Sequence, residues 1–399
     1  MLFLIVLANA ISSDQSMSGG DKIFIECVKR WSQEKSITVS VFTSDVGQKL
    51  CVNNGLKNIT YVSWSSTKLR TLGIPIFYLI GTIKASVLIL RLVLNVRNSL
   101  YANKLIVFSS SDFWPDSIPA LIAKIMSKKA KWVAAFYLFA PNPFKHESPY
   151  KGKRFIRGLI YYFSQVPIYW LVKKYSDMVW VTSELDKWKF MGSKKLTSDK
   201  VIAIHWGVDT KLSSLIPEPK EKKFDAVFIG RFHPQKGILE LIDAWNLICK
   251  KKFNAKLAII GVGDLENEVK RKIKKYDLEK NIFLFGFKDG VEKIEIFKKS
   301  KIVVHPAVYD TGSIAPMEAM SCGLPAVMFD LPAFKTYYPK GVLKVPLSRW
   351  DLFAESIVNL LSDTKLYEDL RKEALELSKE NDWDKRAKEL LEVIKSLSC

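Results

Sequence analysis

The chain has 399 residues, of which 48% are hydrophobic and 26% charged, and its formal net charge is +20. That length exceeds one ordinary domain, so two domains of roughly 150 to 200 residues are expected, and the composition excludes a disordered or fibrous chain. The cationic excess fits either a lysine-rich solvated surface or polyanionic partners such as anionic lipid or phosphorylated substrates; no zinc-finger spacing or RNP motif accompanies it, so nucleic acid is not an expected partner.

In chain order, Met1 to Ala10 is apolar and ends in Ala8-Asn9-Ala10, which mimics a signal-peptide cleavage site. No basic segment precedes it and the run is short, so it reads as a buried first strand of a parallel sheet. Ser18-Gly19-Gly20 then precedes a helical pattern of Ile23, Phe24 and Val28. Glycines in that place let backbone approach a ligand closely. Further short β-branched runs follow at Ile37 to Phe42, Leu105 to Phe108, Trp132 to Phe136, Met178 to Val181 and Val201 to Ile204.

Two stretches in this half could meet a membrane. Leu72 to Leu94 is apolar but holds Pro75, Gly81, Lys84 and Arg91. It falls short of the ~20 apolar residues of a spanning helix, so a buried or membrane-surface helix is expected. Lys145 to Tyr175 interleaves Lys151, Lys153, Arg154, Arg157, Lys173 and Lys174 with Phe155, Ile156, Leu159, Tyr161, Phe163, Tyr169 and Trp170. That pattern suits an anionic membrane surface or a phosphate-bearing lipid acceptor, and equally a core helix with a solvated basic flank.

Gly207-Val208-Asp209 closes the first series, and Leu212 to Lys223, rich in serine, proline and charge, reads as a linker. The second series has runs at Ala226 to Ile229, Lys256 to Ile260, Ile282 to Phe285, Ile302 to Val304 and Ala326 to Phe329. Two helices are expected at the end, Trp350 to Ser362 and one from about Trp383. Alternating strand and helix implies α/β architecture, with two Rossmann-like parallel-sheet domains facing a cleft. The expected division is 1–208, linker 209–223, 224–382, and a final helix 383–399 packing back on the first domain.

Ligands of such sheets bind beyond the carboxyl ends of the strands. Two turns there carry chemistry. In the first, Gly230-Arg231 through Lys236-Gly237 follows a strand and opens a helix. The Arg231 fork and the Lys236 point charge could neutralise a leaving diphosphate. In the second, Asp310-Thr311-Gly312-Ser313-Ile314 opens a helix that contains Glu318. Amides at a helix start bind anions, and a carboxylate further in suits ribose hydroxyls.

These segments resemble the retaining glycosyltransferase family 4, with the GT-B fold. Gly230-Arg231…Lys236-Gly237 is similar to its G-R…K-G segment, Asp310 to Glu318 has its E-x7-E spacing, and Glu318-Ala319-Met320-Ser321-Cys322-Gly323-Leu324-Pro325 is similar to its E-A-M-A-x-G-L-P. The resemblance implies that Arg231 and Lys236 hold the diphosphate, Glu318 the ribose, and Asp310, here in place of Glu, the donor sugar. Gly19 and Gly20 would face the donor, Gly230 and Phe287 would line its site, and the final helix would cross back to the first domain. Where many members have a histidine near position 135, Tyr137 is the nearest polar side chain.

The implied reaction moves a sugar from a UDP- or GDP-linked donor to a glycan or lipid-linked acceptor, with retention. The cations do the work that a metal does in other transferases, so no cofactor and no metal are expected. The alternatives are a nucleotide-sugar 2-epimerase and an inactive sugar-nucleotide-binding module. Cys27, Cys51, Cys249, Cys322 and Cys399 are scattered and odd in number. That suits a cytoplasmic setting, peripheral on the inner membrane face.

Overall fold

Short buried runs alternate with amphipathic helices along the whole chain, and each pair forms a parallel strand with its crossover. The computed structural model describes residues 2–11, 17–66, 73–96, 104–145, 148–192, 196–310 and 312–398. The first series is β1 (Leu2–Ala8), α1 (Gly19–Trp31), β2 (Ile37–Ser44), α2 (Asp45–Asn53), β3 (Thr60–Trp64), α3 (Ile74–Val96), β4 (Leu105–Ser109), α4 (Trp114–Met126), β5 (Lys131–Ala135), α5 (Phe155–Tyr175), β6 (Met178–Val181), α6 (Glu184–Phe190) and β7 (Val201–Ala203). The second is α7 (Thr210–Leu215), β8 (Phe224–Ile229), α8 (Ile238–Lys251), β9 (Leu257–Ile260), α9 (Glu266–Lys275), β10 (Ile282–Leu284), α10 (Gly290–Lys298), β11 (Ser300–His305), α11 (Ile314–Met320), β12 (Ala326–Phe329), α12 (Phe334–Tyr337), β13 (Val342–Val345), α13 (Trp350–Ser362), α14 (Thr364–Glu380) and α15 (Trp383–Lys395).

The chain divides into two units, residues 1–205 with 383–399, and residues 206–382. The segment expected as a linker carries α7 and belongs to the second unit. In the first unit the strand order is β3-β2-β1-β4-β5-β6-β7, and in the second β10-β9-β8-β11-β12-β13, all pairs parallel. In each, the two central strands run outward in opposite directions of sequence. The order therefore reverses between β1 and β4, and between β8 and β11. Such switch points open a crevice beyond the strand ends.

Central strands are apolar on both faces because helices cover both. Val6, between Val41 and Phe108, is fully buried, as are Val227 and Val303. Helix starts are set locally. Ser18 caps α1 by accepting from the Asp21 amide (3.2 Å), while Asp21 accepts from the Ser18 amide (2.8 Å). Trp31, at the end of α1, packs edge-on against Phe108 and Trp180, and its indole N–H donates to the Ala387 carbonyl at 2.7 Å. Arg30 Nε donates to Asp384 at 2.6 Å. These bonds seat α15 on the first unit.

Some elements depart from expectation. The expected pair of C-terminal helices is three, because α14 lies between them with Asp363 as its cap, accepting from the Leu366 amide at 2.9 Å. β3 and β13 were not expected: only Trp64 of β3 is buried, and Lys344 interrupts β13, so neither shows an apolar run. The length argument about Leu72 to Leu94 also fails. Leu72 lies outside the described residues, but α3 is an unbroken 23-residue helix, long and apolar enough by those two measures to span a membrane. It packs its Phe77, Ala85, Ile89 and Val93 inward, alongside α4.

Candidate functional site

In the second unit, backbone bonds continue past the strand ends. The Gly230 amide donates to the Ile260 carbonyl (3.0 Å) and the Phe232 amide to the Val262 carbonyl (2.9 Å). Pro234 to Lys236 forms one tight turn, and His233 Nδ1 accepts from the Gln235 amide at 3.3 Å. Gly237 ends the turn at φ 64°, and a Cβ there would lie 2.3 Å from the Pro306 carbonyl oxygen. Only glycine satisfies both constraints. The turn therefore presses against the loop after β11, where the Val308 amide donates to the Gln235 carbonyl at 3.0 Å.

This contact brings the two charged turns together at the switch point. Lys236 Nζ donates to Asp310 Oδ2 at 2.5 Å, and Asp310 Oδ1 accepts from the Gly312 amide at 3.2 Å. Burial pushes the Asp310 pKa up, but Lys236 outweighs it and holds the carboxyl well below the usual range. Beneath it, His305 Nε2 lies 3.6 Å from Asp310 Oδ2, beyond hydrogen-bond distance. Burial, reinforced by Lys236, keeps His305 below its ordinary pKa and so neutral near pH 7. Gly312 has φ 127°, and a Cβ on it would meet the Tyr337 ring at 2.6 Å. Arg231, at the start of the turn that carries Lys236, is exposed.

Glu318 sits in α11, where its Oε1 accepts from Lys293 at 2.9 Å, and Lys293 also donates to Asp289 Oδ1 at 2.6 Å. Lys293 is buried. Burial lowers its pKa, but Glu318 and Asp289 together outweigh that and hold it above the ordinary lysine range. The Glu318 carboxylate is thus fixed by one oxygen.

Thr311 lies outside the described residues. Of the amides expected to be open to an anion, that of Gly312 is instead taken by Asp310, because the Asp310 carboxylate turns back on its own loop. Ser313 caps α11 without a side-chain hydrogen bond, its carbonyl accepts from the Tyr338 hydroxyl, and Ile314 begins the helix. Phe287 is exposed in the loop after β10, which the Gly261 amide joins through the Gly286 carbonyl at 2.8 Å.

Gly19, Gly20 and Tyr137 belong to the first unit. A Cβ on Gly20 would lie 3.0 Å from the Tyr137 ring, so these two are neighbours, whereas one on Gly19 would meet nothing. Tyr137 is buried, and its carbonyl accepts from the Thr182 hydroxyl at 2.6 Å.

Sequence reasoning missed the polar groups at the first unit's switch point. Asp116 accepts from the Asn9 amide and the Ser111 hydroxyl, both at 2.5 Å, and Trp64 Nε1 donates to Asn9 Oδ1 at 2.9 Å. Asp112 accepts from Gln165 Nε2 at 2.7 Å. Burial pushes Asp112 up to about 6 and Asp116 up to about 7. Lys293 and His305 were also missed. The signal for Lys293 was a lysine between Gly290 and Phe297 on the inward side of α10; nothing in the sequence separates His305 from an ordinary strand-end residue.

Among the described residues, no group of three or more His, Cys, Asp or Glu is arranged to hold a metal ion. Asp382 and Asp384 serve separate partners, the Thr210 hydroxyl and Arg30.

Two parallel sheets, each with the 3-2-1-4 reversal of a nucleotide-binding fold, define the GT-B class. A solved structure of Anabaena HepE in complex with UDP-glucose has this fold, with a TM-score of 0.72 over 99% of this chain and 100% of that one, at 14% identity. Residues 213–377 match the family model described as Glycosyl transferases group 1. An uncharacterized glycosyltransferase of Methanocaldococcus jannaschii is 29% identical over 262 residues, which are 54% of this chain and 63% of the relative. The poly(glycerol-phosphate) alpha-glucosyltransferase of Bacillus subtilis is 23% identical over 174 residues, 43% of this chain and 26% of the relative. The chain thus spans less than two thirds of the length of these curated relatives.

Proposed function

We propose that this protein is a glycosyltransferase that transfers a sugar from a UDP- or GDP-linked donor to a glycan or lipid-linked acceptor, with retention and without a metal. The observation that carries this reading is the Lys236–Asp310 pair at the β8–β11 switch point, inside a family-matched segment that also holds Arg231 and Glu318.

Cleavage of the sugar–phosphate bond leaves negative charge on the departing diphosphate. Lys236 has three N–H donors and gives one to Asp310, so two remain for phosphate oxygens. Arg231 adds a planar fork from the exposed side. These cations supply the stabilisation that a divalent ion supplies elsewhere. Asp310, kept ionised, fixes Lys236 and offers acceptor lone pairs to sugar hydroxyls. Glu318, held on one oxygen by Lys293, presents the other to ribose hydroxyls. Tyr137 and Gly20 are proposed to line the sugar side.

Solved HepE complexes contain UDP or UDP-glucose, which supports a uridine donor over a guanosine one. The Bacillus subtilis relative is named for a poly(glycerol-phosphate) acceptor. An acidic acceptor matches the net charge of +20. A cytoplasmic protein peripheral on the membrane accords with both.

The test is calorimetric titration of UDP, GDP and ADP, with chelator, into the wild type and an Arg231→Ala/Lys236→Ala variant. One diphosphate should bind, and the variant should lose at least about ten-fold in affinity, as expected for two charge-assisted contacts. Equal binding by the variant, or none by the wild type, refutes the phosphate assignment. Donor consumed only when an acceptor is present separates transfer from epimerisation.

A further inference from the structure

The first unit carries an exposed apolar surface that the sugar-nucleotide site does not use. In α3 the inward residues Phe77, Ala85, Ile89 and Val93 recur every four or eight positions. On the opposite side Ile76, Leu79, Ile83, Val87 and Leu94 form a stripe that stays in solvent, Ile83 at 57% exposure. In α5 the buried side is Gly158, Gln165, Ile168 and Val172. Its opposite side is Ile156, Ile160, Phe163 and Trp170, the last at 61% exposure.

The two helices flank one place. Tyr78 of α3 packs at a tilt near Phe113 (5.2 Å between ring centres), and Phe113 near Tyr161 of α5 (6.1 Å). Between them Trp114, at the start of α4, is 40% exposed, and its indole N–H donates to the Ser164 carbonyl at 2.8 Å.

Charge decides what covers this surface. Neither α3 nor α5 contains an aspartate or glutamate, while Arg91, Arg157 and Lys174 stand exposed on them. A second copy of the same face would set cation against cation. An anionic bilayer instead accepts the apolar stripes among its acyl chains and the cations at its headgroups. We propose that the outer faces of α3 and α5 dock the first unit on an anionic lipid surface. The docking deepens the lipid-linked-acceptor part of the proposed function and rests on it for its purpose.

The test uses the full chain and sedimentation with vesicles of phosphatidylcholine alone or of an equimolar phosphatidylcholine–phosphatidylglycerol mixture. Wild type should bind the anionic vesicles at least about ten-fold tighter than the neutral ones, since each cation near such a surface adds roughly 1 kcal/mol. Ile83→Glu/Phe163→Glu should lose at least about ten-fold on anionic vesicles, because two apolar anchors are removed. Arg157→Glu/Lys174→Glu should bring anionic binding down to the neutral level. If the glutamate pair fails to fold, as read by circular dichroism, Ile83→Ser/Phe163→Ser replaces it.

Equal binding to both vesicles, or unchanged binding by the apolar variants, overturns the proposal. So does a wild-type dimer in lipid-free sedimentation velocity that the apolar variants abolish, which would make this a face between copies. Nucleotide titration of the same variants should match wild type. Loss of vesicle binding with nucleotide binding intact thus concerns this surface alone, and the converse concerns the donor site alone.

Discussion

At the switch point of the second unit each described carboxylate of the site has a lysine: Asp310 has Lys236, and Asp289 and Glu318 share Lys293. At that of the first unit, Asp112 and Asp116 have only neutral donors, from Gln165, Asn9 and Ser111. The strand order around the two points is the same. One backbone reversal therefore hosts a fixed set of ionised groups in one unit and a pair of titrating acids in the other. The difference comes from side chains that the loops bring in, not from the sheets. Paired charges hold their geometry across the neutral range, whereas unpaired buried acids respond to pH within it.

The comparison is broken most severely at Lys293. Lys293→Met leaves Glu318 and Asp289 without their buried cation, and removal of one partner of such a set costs about 3–5 kcal/mol. We expect a fall of that size in denaturant unfolding of the second unit, with weaker nucleotide binding. A loss under about 1 kcal/mol would show that water replaces the lysine.

The contrast is sharpened by pH. Asp116 is raised in the fold to about 7, so its contribution is fully present below the ordinary carboxylate range and is lost as pH rises through about 7. Asp112 adds the same trend up to about 6. Asp310, held low, acts in the opposite sense: its contribution is present above the ordinary range and fades as pH falls. Asp116→Asn should flatten the decline between about pH 4 and 7 by on the order of 4 kcal/mol, read in denaturant unfolding against pH. An unchanged slope would mean that Asp116 is already ionised at pH 5. The smallest effect is expected at Ser18→Ala, which removes the α1 cap for about 1 kcal/mol in denaturant unfolding; a loss above about 2 kcal/mol would contradict a role limited to the cap.

Much of the second unit was readable from sequence because its information is local. Gly230 to Gly237 and Asp310 to Glu318 lie in single turns between unmistakable strands, and the fold class follows from the alternation itself. The Lys236–Asp310 pair spans 74 positions and is formed only when Gly237 allows the turn to press on Pro306. The pairing of Lys293 with Glu318 was hidden for the same reason, since the two lie 25 positions apart on different helices. In the first unit the informative polar groups are farther apart still: Asn9 and Asp116 are separated by 107 positions. No periodicity encodes such a meeting. α14 escaped notice because its surface is strongly charged, and β3 because most of it is partly or fully exposed.

Helix α15 carries one more consequence. The first unit is assembled from the two ends of the sequence, and residues 206–382 are inserted within it. During synthesis, Trp31 and Arg30 emerge long before Ala387 and Asp384 exist to receive them. At common translation rates the inserted unit takes on the order of ten seconds or more to be made. The ribosome therefore delivers a finished inner unit before the outer one can close. A fragment cut after His205 would lack the helix that completes its own interior.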